Sequence, residues 1–117
     1  SHKVFRNRTA VQTHPLNRET PCVIFREVEV PKVGETALKM RVSHHPHGDW
    51  QLRVLVGKEV LVDKIVNPEA VDKEWLDVNV DLTQYAGQKI KLAIENRAND
   101  WRNEWAYWNE IKIVTEE

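Results

Sequence analysis

Apolar side chains recur at every second position in one segment of this chain after another, and a period of two is the period of a β-strand with one buried face. Ala37–Ser43 reads A-L-K-M-R-V-S and puts Leu38, Met40 and Val42 on one side. Trp50–Val56 does the same with Trp50, Leu52, Val54 and Val56 against Gln51 and Arg53. Gly57-Lys58 is a tight turn into a further run, Glu59–Val66. Trp75–Val80 sends Leu76, Val78 and Val80 inward, and Lys89–Asn96 sends Ile90, Leu92 and Ile94 inward. Cys22–Val30 comes before them all and ends at Pro31, whose ring cannot donate to a ladder. Turn signals fall at the spacing typical of sandwiches and barrels, and no helical stripe of useful length interrupts them. The expected fold is all-β: an antiparallel β-sandwich of about seven to eight strands over residues 22–117, preceded by an N-terminal extension, 1–21, that could add one strand.

The C-terminal stretch NDWRNEWAYWNE, residues 99–110, fits that pattern least well. Trp101, Trp105 and Trp108 stand at i, i+4 and i+7, the spacing of a helical face, but the space before the strand-like IKIV allows two turns at most, and a helix that short is marginal. A loop over Asn96–Glu104 followed by a strand from about Trp105 is expected instead. Its inward face would carry Tyr107, Ile111 and Ile113, with Trp108 opposite.

Composition narrows the functional classes. The 117 residues suffice for one domain with a real core. Seventeen Lys and Arg balance eighteen Asp and Glu, so neither nucleic acid nor an anionic membrane surface finds a basic footprint. No apolar run reaches the ~18 residues of a membrane span, and SHKVFRNRT has no signal-peptide pattern. The chain opens on Ser1 rather than Met, as a piece of something longer would. Cys22 is the single cysteine, which precludes an internal disulfide.

Two stretches together carry a family resemblance. Asp81-Leu82-Thr83-Gln84-Tyr85-Ala86-Gly87-Gln88, followed by KIKLAIEN, resembles the "DL-x-x-YAG-x" corner of galactose-binding-like β-sandwiches. Ala106-Tyr107-Trp108-Asn109-Glu110-Ile111-Lys112-Ile113 is similar to the "A-x-W-D/N-x-I-x-I" closing strand of that fold. Arg26–Pro31 and Asp49–Val54 fit less specifically. The resemblance covers about residues 22–115 and implies a jelly roll. It also implies a place among carbohydrate-binding modules or accessory domains of large bacterial extracytoplasmic proteins. Many such domains hold a structural Ca²⁺; no calcium motif matches here residue by residue, so no cofactor is expected beyond the structural Ca²⁺ that the resemblance leaves open.

The candidate ligand site follows from chemistry. Sugars need flat apolar rings to stack on and planar polar groups for their hydroxyls. Asn99, Asp100, Trp101, Arg102, Asn103 and Glu104 supply both kinds within the NDWRNE loop, with Trp101, Arg102, Asp100 and Glu104 the expected contacts. The alternative is that Trp101 folds back as a cap over the sandwich end. Trp105 and Tyr107 read as core. In Ser43-His44-His45-Pro46-His47-Gly48-Asp49, three imidazoles and a carboxylate suggest zinc, but adjacent His44 and His45 diverge on an extended chain and no second ligand pair is present. His45, His47 and Asp49 are instead expected beside the sugar.

If strands run up and down, the HHPHGD loop, the Asn67–Glu74 loop and the NDWRNE loop share one end, and the tight turns share the other. With no nucleophile elbow, phosphate loop or hydrolase motif, catalysis is not expected. The leading expectation is a noncatalytic carbohydrate-binding module, extracytoplasmic and tethered to other domains of a parent chain. The alternative is a structural or protein-interaction sandwich with no small-molecule ligand.

Overall fold

Alternation becomes architecture by crossing between two sheets. The structure, a computed structural model, describes residues 2–6, 8–68 and 74–117. The strands are β1 (His2–Phe5), β2 (Arg8–Thr13), β3 (Cys22–Glu29), β4 (Glu35–His44), β5 (Trp50–Val56), β6 (Glu59–Val66), β7 (Leu76–Asp81), β8 (Lys89–Arg97) and β9 (Ala106–Glu116). One sheet has the order β1-β2-β9-β4-β7 and the other β3-β8-β5-β6. All the pairings are antiparallel. Without β1, the two orders are the eight-strand double Greek key of a jelly roll. Among the described residues no helix is long and apolar enough to cross a membrane.

The count exceeds the expected seven to eight because the N-terminal residues contribute two strands rather than one. β1 and β2 form a hairpin, and β2 pairs with β9 through Val11–Trp108 and Thr13–Ala106. Thr13 also reaches across the end of the sandwich. Its Oγ1 accepts from Trp108 Nε1 at 2.8 Å and from Asn96 Nδ2 at 3.0 Å.

The inward-facing positions form one core. Leu38, Val42, Trp50, Leu52, Val54, Val66 and Leu82 are fully enclosed, and Met40, Ile90, Leu92 and Ile94 nearly so. Each such side chain contributes roughly 1.5–3 kcal/mol on removal from water. At the loop-rich end Trp50 and Trp108 pack ring on ring, with centroids 5.0 Å apart. At the other end Leu82 closes the core beneath a 3₁₀ turn, Thr83–Tyr85, and Gly87 re-enters the sheet at φ +79°.

β9 corrects one expectation. Trp108 lies inward, in the core, and Tyr107 lies on the opposite face, where it stacks on Phe5 with centroids 3.7 Å apart. The cause is a β-bulge: Arg41 pairs with Glu110 but its neighbour Val42 pairs with Trp108, which leaves Asn109 without an opposite number. An extra residue reverses the facing of everything on one side of it. Parity counted back from Ile111 and Ile113 therefore puts Tyr107 on the wrong face. The bulge is anchored by Asn109, whose Nδ2 donates to the Thr9 carbonyl at 3.0 Å.

Candidate functional site

The loops β2–β3, β4–β5 and β8–β9 meet at one end of the sandwich. Gly48 marks the junction of the last two. A Cβ built there would lie 2.1 Å from the Asn103 carbonyl oxygen and 2.6 Å from that of Arg102, so only glycine lets the two backbones approach. Asn99 Nδ2 donates to Asp49 Oδ2 at 3.0 Å, and Asn103 Nδ2 to the His47 carbonyl at 3.4 Å. His47 and Trp101 thus share an end, as the up-and-down reading expects. Of the Asn67–Glu74 loop, 69–73 lie outside the described residues; Glu74 itself accepts from Ser43 through its carbonyl.

The β8–β9 loop is folded around a carboxylate. Glu104 is fully buried, and its Oε1 accepts from the backbone N–H groups of Asn99, of Asp100 at 2.8 Å and of Trp101 at 3.2 Å. This triple acceptor holds a turn that the sequence would otherwise resist, since Trp101 sits at φ +57° and Asn103 at φ +50°. Left-handed backbone is uncommon for a bulky side chain and persists where its surroundings fix it. Burial pushes the Glu104 carboxyl above the usual range, as do the nearby charges of Asp100 and Asp49, while the N–H groups of Asn99 and Asp100 pull the other way.

Trp101 projects from this turn and is 36% exposed. Its ring meets His14 edge to face at 5.2 Å, and His14 in turn lies 4.6 Å from the Trp105 ring. Trp101 is therefore supported from one side and open on another. Arg102 and Asp100 are exposed beside it, and the Arg102 N–H donates to Asp100 Oδ1 at 3.1 Å.

The histidines divide by burial. His44 is buried, and its Nδ1 lies 2.7 Å from the His45 carbonyl and 3.1 Å from that of Gly48. Two acceptors require Nδ1 to carry the proton. Burial lowers the His44 pKa below its ordinary value. His45 Nδ1 accepts from the His47 N–H at 3.0 Å, which leaves that nitrogen committed to the loop. His47 is exposed.

Of the residues expected at the site, Asp49, Asp100, Trp101, Arg102, His45 and His47 are brought to one end, half-buried or exposed. Glu104 is also there, but as the buried staple of its loop instead of a surface group. Asp49, Asp100 and Glu104 each offer a carboxylate oxygen within 4.8 Å of the others. Among the described residues they are the group of metal-ligating side chains that converges in this way, and no histidine belongs to it. Sequence reasoning missed two contributors, His14 and Gly48, and counted Asn99 only among the polar groups of its own loop, because each acts across a junction of loops distant in sequence.

No family model matches the chain. An uncharacterized protein of Archaeoglobus fulgidus is similar, 27% identical over 117 aligned positions that cover 86% of this chain and 29% of that protein. The chain thus spans less than a third of that relative's length.

Proposed function

We propose that this chain is a noncatalytic carbohydrate-binding module whose site is the end built by the β4–β5 and β8–β9 loops. The observation that carries the reading is Trp101, a partly open indole held at φ +57° and backed by His14, with Arg102 and Asp100 beside it. An exposed aromatic ring fixed by its own loop loses little entropy on binding, and the groups around it match the hydroxyls of a sugar. His47 and Asp49 extend the polar fringe across the junction. The resemblance to galactose-binding-like domains agrees with this reading, and so does the jelly-roll strand order. A role as one part of a longer extracytoplasmic protein is included in the proposal, and the greater length of the archaeal relative is in keeping with it.

The test is calorimetric titration with a panel of soluble polysaccharides and oligosaccharides, comparing wild type with Trp101→Ala. Saturable binding lost in a folded variant is expected. Binding unchanged in the variant would remove Trp101 from the site.

A second reading, a protein-interaction domain, is favoured by one observation. Phe25, Ala93, Leu55 and Val60 are consecutive cross-strand partners in the four-stranded sheet, and Phe25 and Val60 are 59% and 41% exposed. An apolar row of this kind on an outer face is what a protein partner would cover. Phe25→Ser should abolish association with such a partner while leaving sugar binding intact.

A further inference from the structure

We infer that Asp49, Asp100 and Glu104 form a binding site for a hard divalent cation of the calcium class, which clamps the β4–β5 loop to the β8–β9 loop. Each carboxylate has one oxygen taken up locally. Asp49 Oδ2 accepts from Asn99, Asp100 Oδ1 from the Arg102 N–H, and Glu104 Oε1 from three N–H groups. What remains is a second oxygen on each. Two of these, Asp49 Oδ1 and Glu104 Oε2, are shut away from solvent with no hydrogen-bond partner. Glu104 as a whole is fully enclosed, so its unpaired oxygen cannot turn outward to water.

Charge points the same way. Among the described residues no lysine, arginine or histidine forms a salt bridge with any of the three acids. Three carboxylates with oxygens within 4.8 Å of one another and no ion pair to offset them would repel, and a buried one is costly unless it is paired or coordinates a metal. Oxygens within 4.8 Å of one another can be spanned by a single ion at the roughly 2.3–2.6 Å characteristic of calcium. Oxygen-only ligands of mixed exposure suit that ion. Magnesium demands stricter octahedral geometry and gives up its water reluctantly.

The inference goes beyond the sugar reading and does not depend on it, since it concerns how the two loops are held. The experiment uses the intact chain stripped with EDTA, with CaCl₂ as the probe and no carbohydrate. Calorimetry is expected to show a single saturable site. Calcium at about a hundred times its Kd is expected to raise Tm by on the order of 10 °C. Magnesium should give a smaller shift. Glu104→Gln keeps an oxygen for the three N–H groups and loses the charge, so it should fold and yet lose the calcium response; Asp100→Asn, at an exposed position, should weaken it as well. Terbium emission sensitised by the adjacent Trp101 should appear in wild type and be displaced by calcium. Absence of any calcium-dependent heat or Tm shift in folded wild type would overturn the site. So would a response retained in full by both variants, which would locate the ion elsewhere. A magnesium shift equal to that of calcium would overturn the choice of ion.

Discussion

Asn99 Nδ2 donates to Asp49 Oδ2 at 3.0 Å, a link between loops fifty residues apart in sequence. It is one of few direct ties between the two halves of the proposed site. Asn99→Ala is expected to cost roughly 0.5–1.5 kcal/mol, the usual net value of one hydrogen bond, and its exposure favours the lower figure. Urea denaturation reads the loss. Amide exchange should speed up in residues 45–49 and 98–104 and stay unchanged in residues 83–88, the turn at the opposite end of the sandwich.

Gly48 is expected to tolerate no side chain. In Gly48→Ala the added methyl would have to displace the Asn103 and Arg102 carbonyls, which are main-chain atoms and cannot swing aside. Overpacking of this kind costs about 1–3 kcal/mol or more. Denaturation midpoints check the magnitude. A variant as stable as wild type would mean that the loops are not packed as closely as described.

Thr13→Val removes the acceptor shared by Trp108 Nε1 and Asn96 Nδ2 and keeps the shape. Two donors left unpaired near the core cost about 1–3 kcal/mol each, so a loss of roughly 2–6 kcal/mol is expected. Thr13→Ser should restore most of it. A neutral Thr13→Val would show that the N-terminal hairpin is not fastened to the core through this hydroxyl.

His44 sets a pH dependence. Its pKa is lowered in the folded state, chiefly by burial, so the unfolded chain takes up a proton that the native protein refuses. Stability from this residue is fully present above the ordinary histidine value of about 6.5. It is lost as pH falls from there through the lower folded value. His44→Asn retains a donor for the His45 and Gly48 carbonyls and does not titrate. Plotted against pH between 8 and 5, the stability of the variant should decline less steeply than that of wild type. Parallel curves would mean that His44 is not shielded from protonation.

Much of the fold is visible in alternation alone. Leu38, Met40 and Val42, then Trp50, Leu52 and Val54, occupy the core as the period of two requires. β5 and β6 run over Trp50–Val56 and Glu59–Val66, where the Gly57-Lys58 turn divides them. Parity fails only where backbone geometry intervenes. The bulge at Asn109 is invisible to a count of polar and apolar residues, and it exchanges the faces of Tyr107 and Trp108. The N-terminal hairpin was obscured because β2 is partly buried along most of its length and shows no clean alternation.

The site was legible in its residue types and not in its roles. Trp101 among polar neighbours announces a possible stacking surface from sequence. Glu104 reads identically to Asp100 there, and only the folded loop distinguishes an exposed acid from one that gathers three N–H groups. The meeting of Asp49 with Asp100 and Glu104 depends on strand order, which brings the ends of β4 and β9 together across the sheet.

Whether this end of the sandwich takes up sugar is read by a ¹⁵N-resolved NMR titration of the protein, with CaCl₂ in the buffer, against a polysaccharide panel. It follows the Trp101 indole N–H and the amides of residues 45–49 and 99–104. Expected are saturable shifts confined to these groups with at least one carbohydrate, absent in Trp101→Ala. Shifts centred on Phe25 and Val60, or none with any carbohydrate while the protein remains folded, would contradict a sugar-binding function for this end of the sandwich.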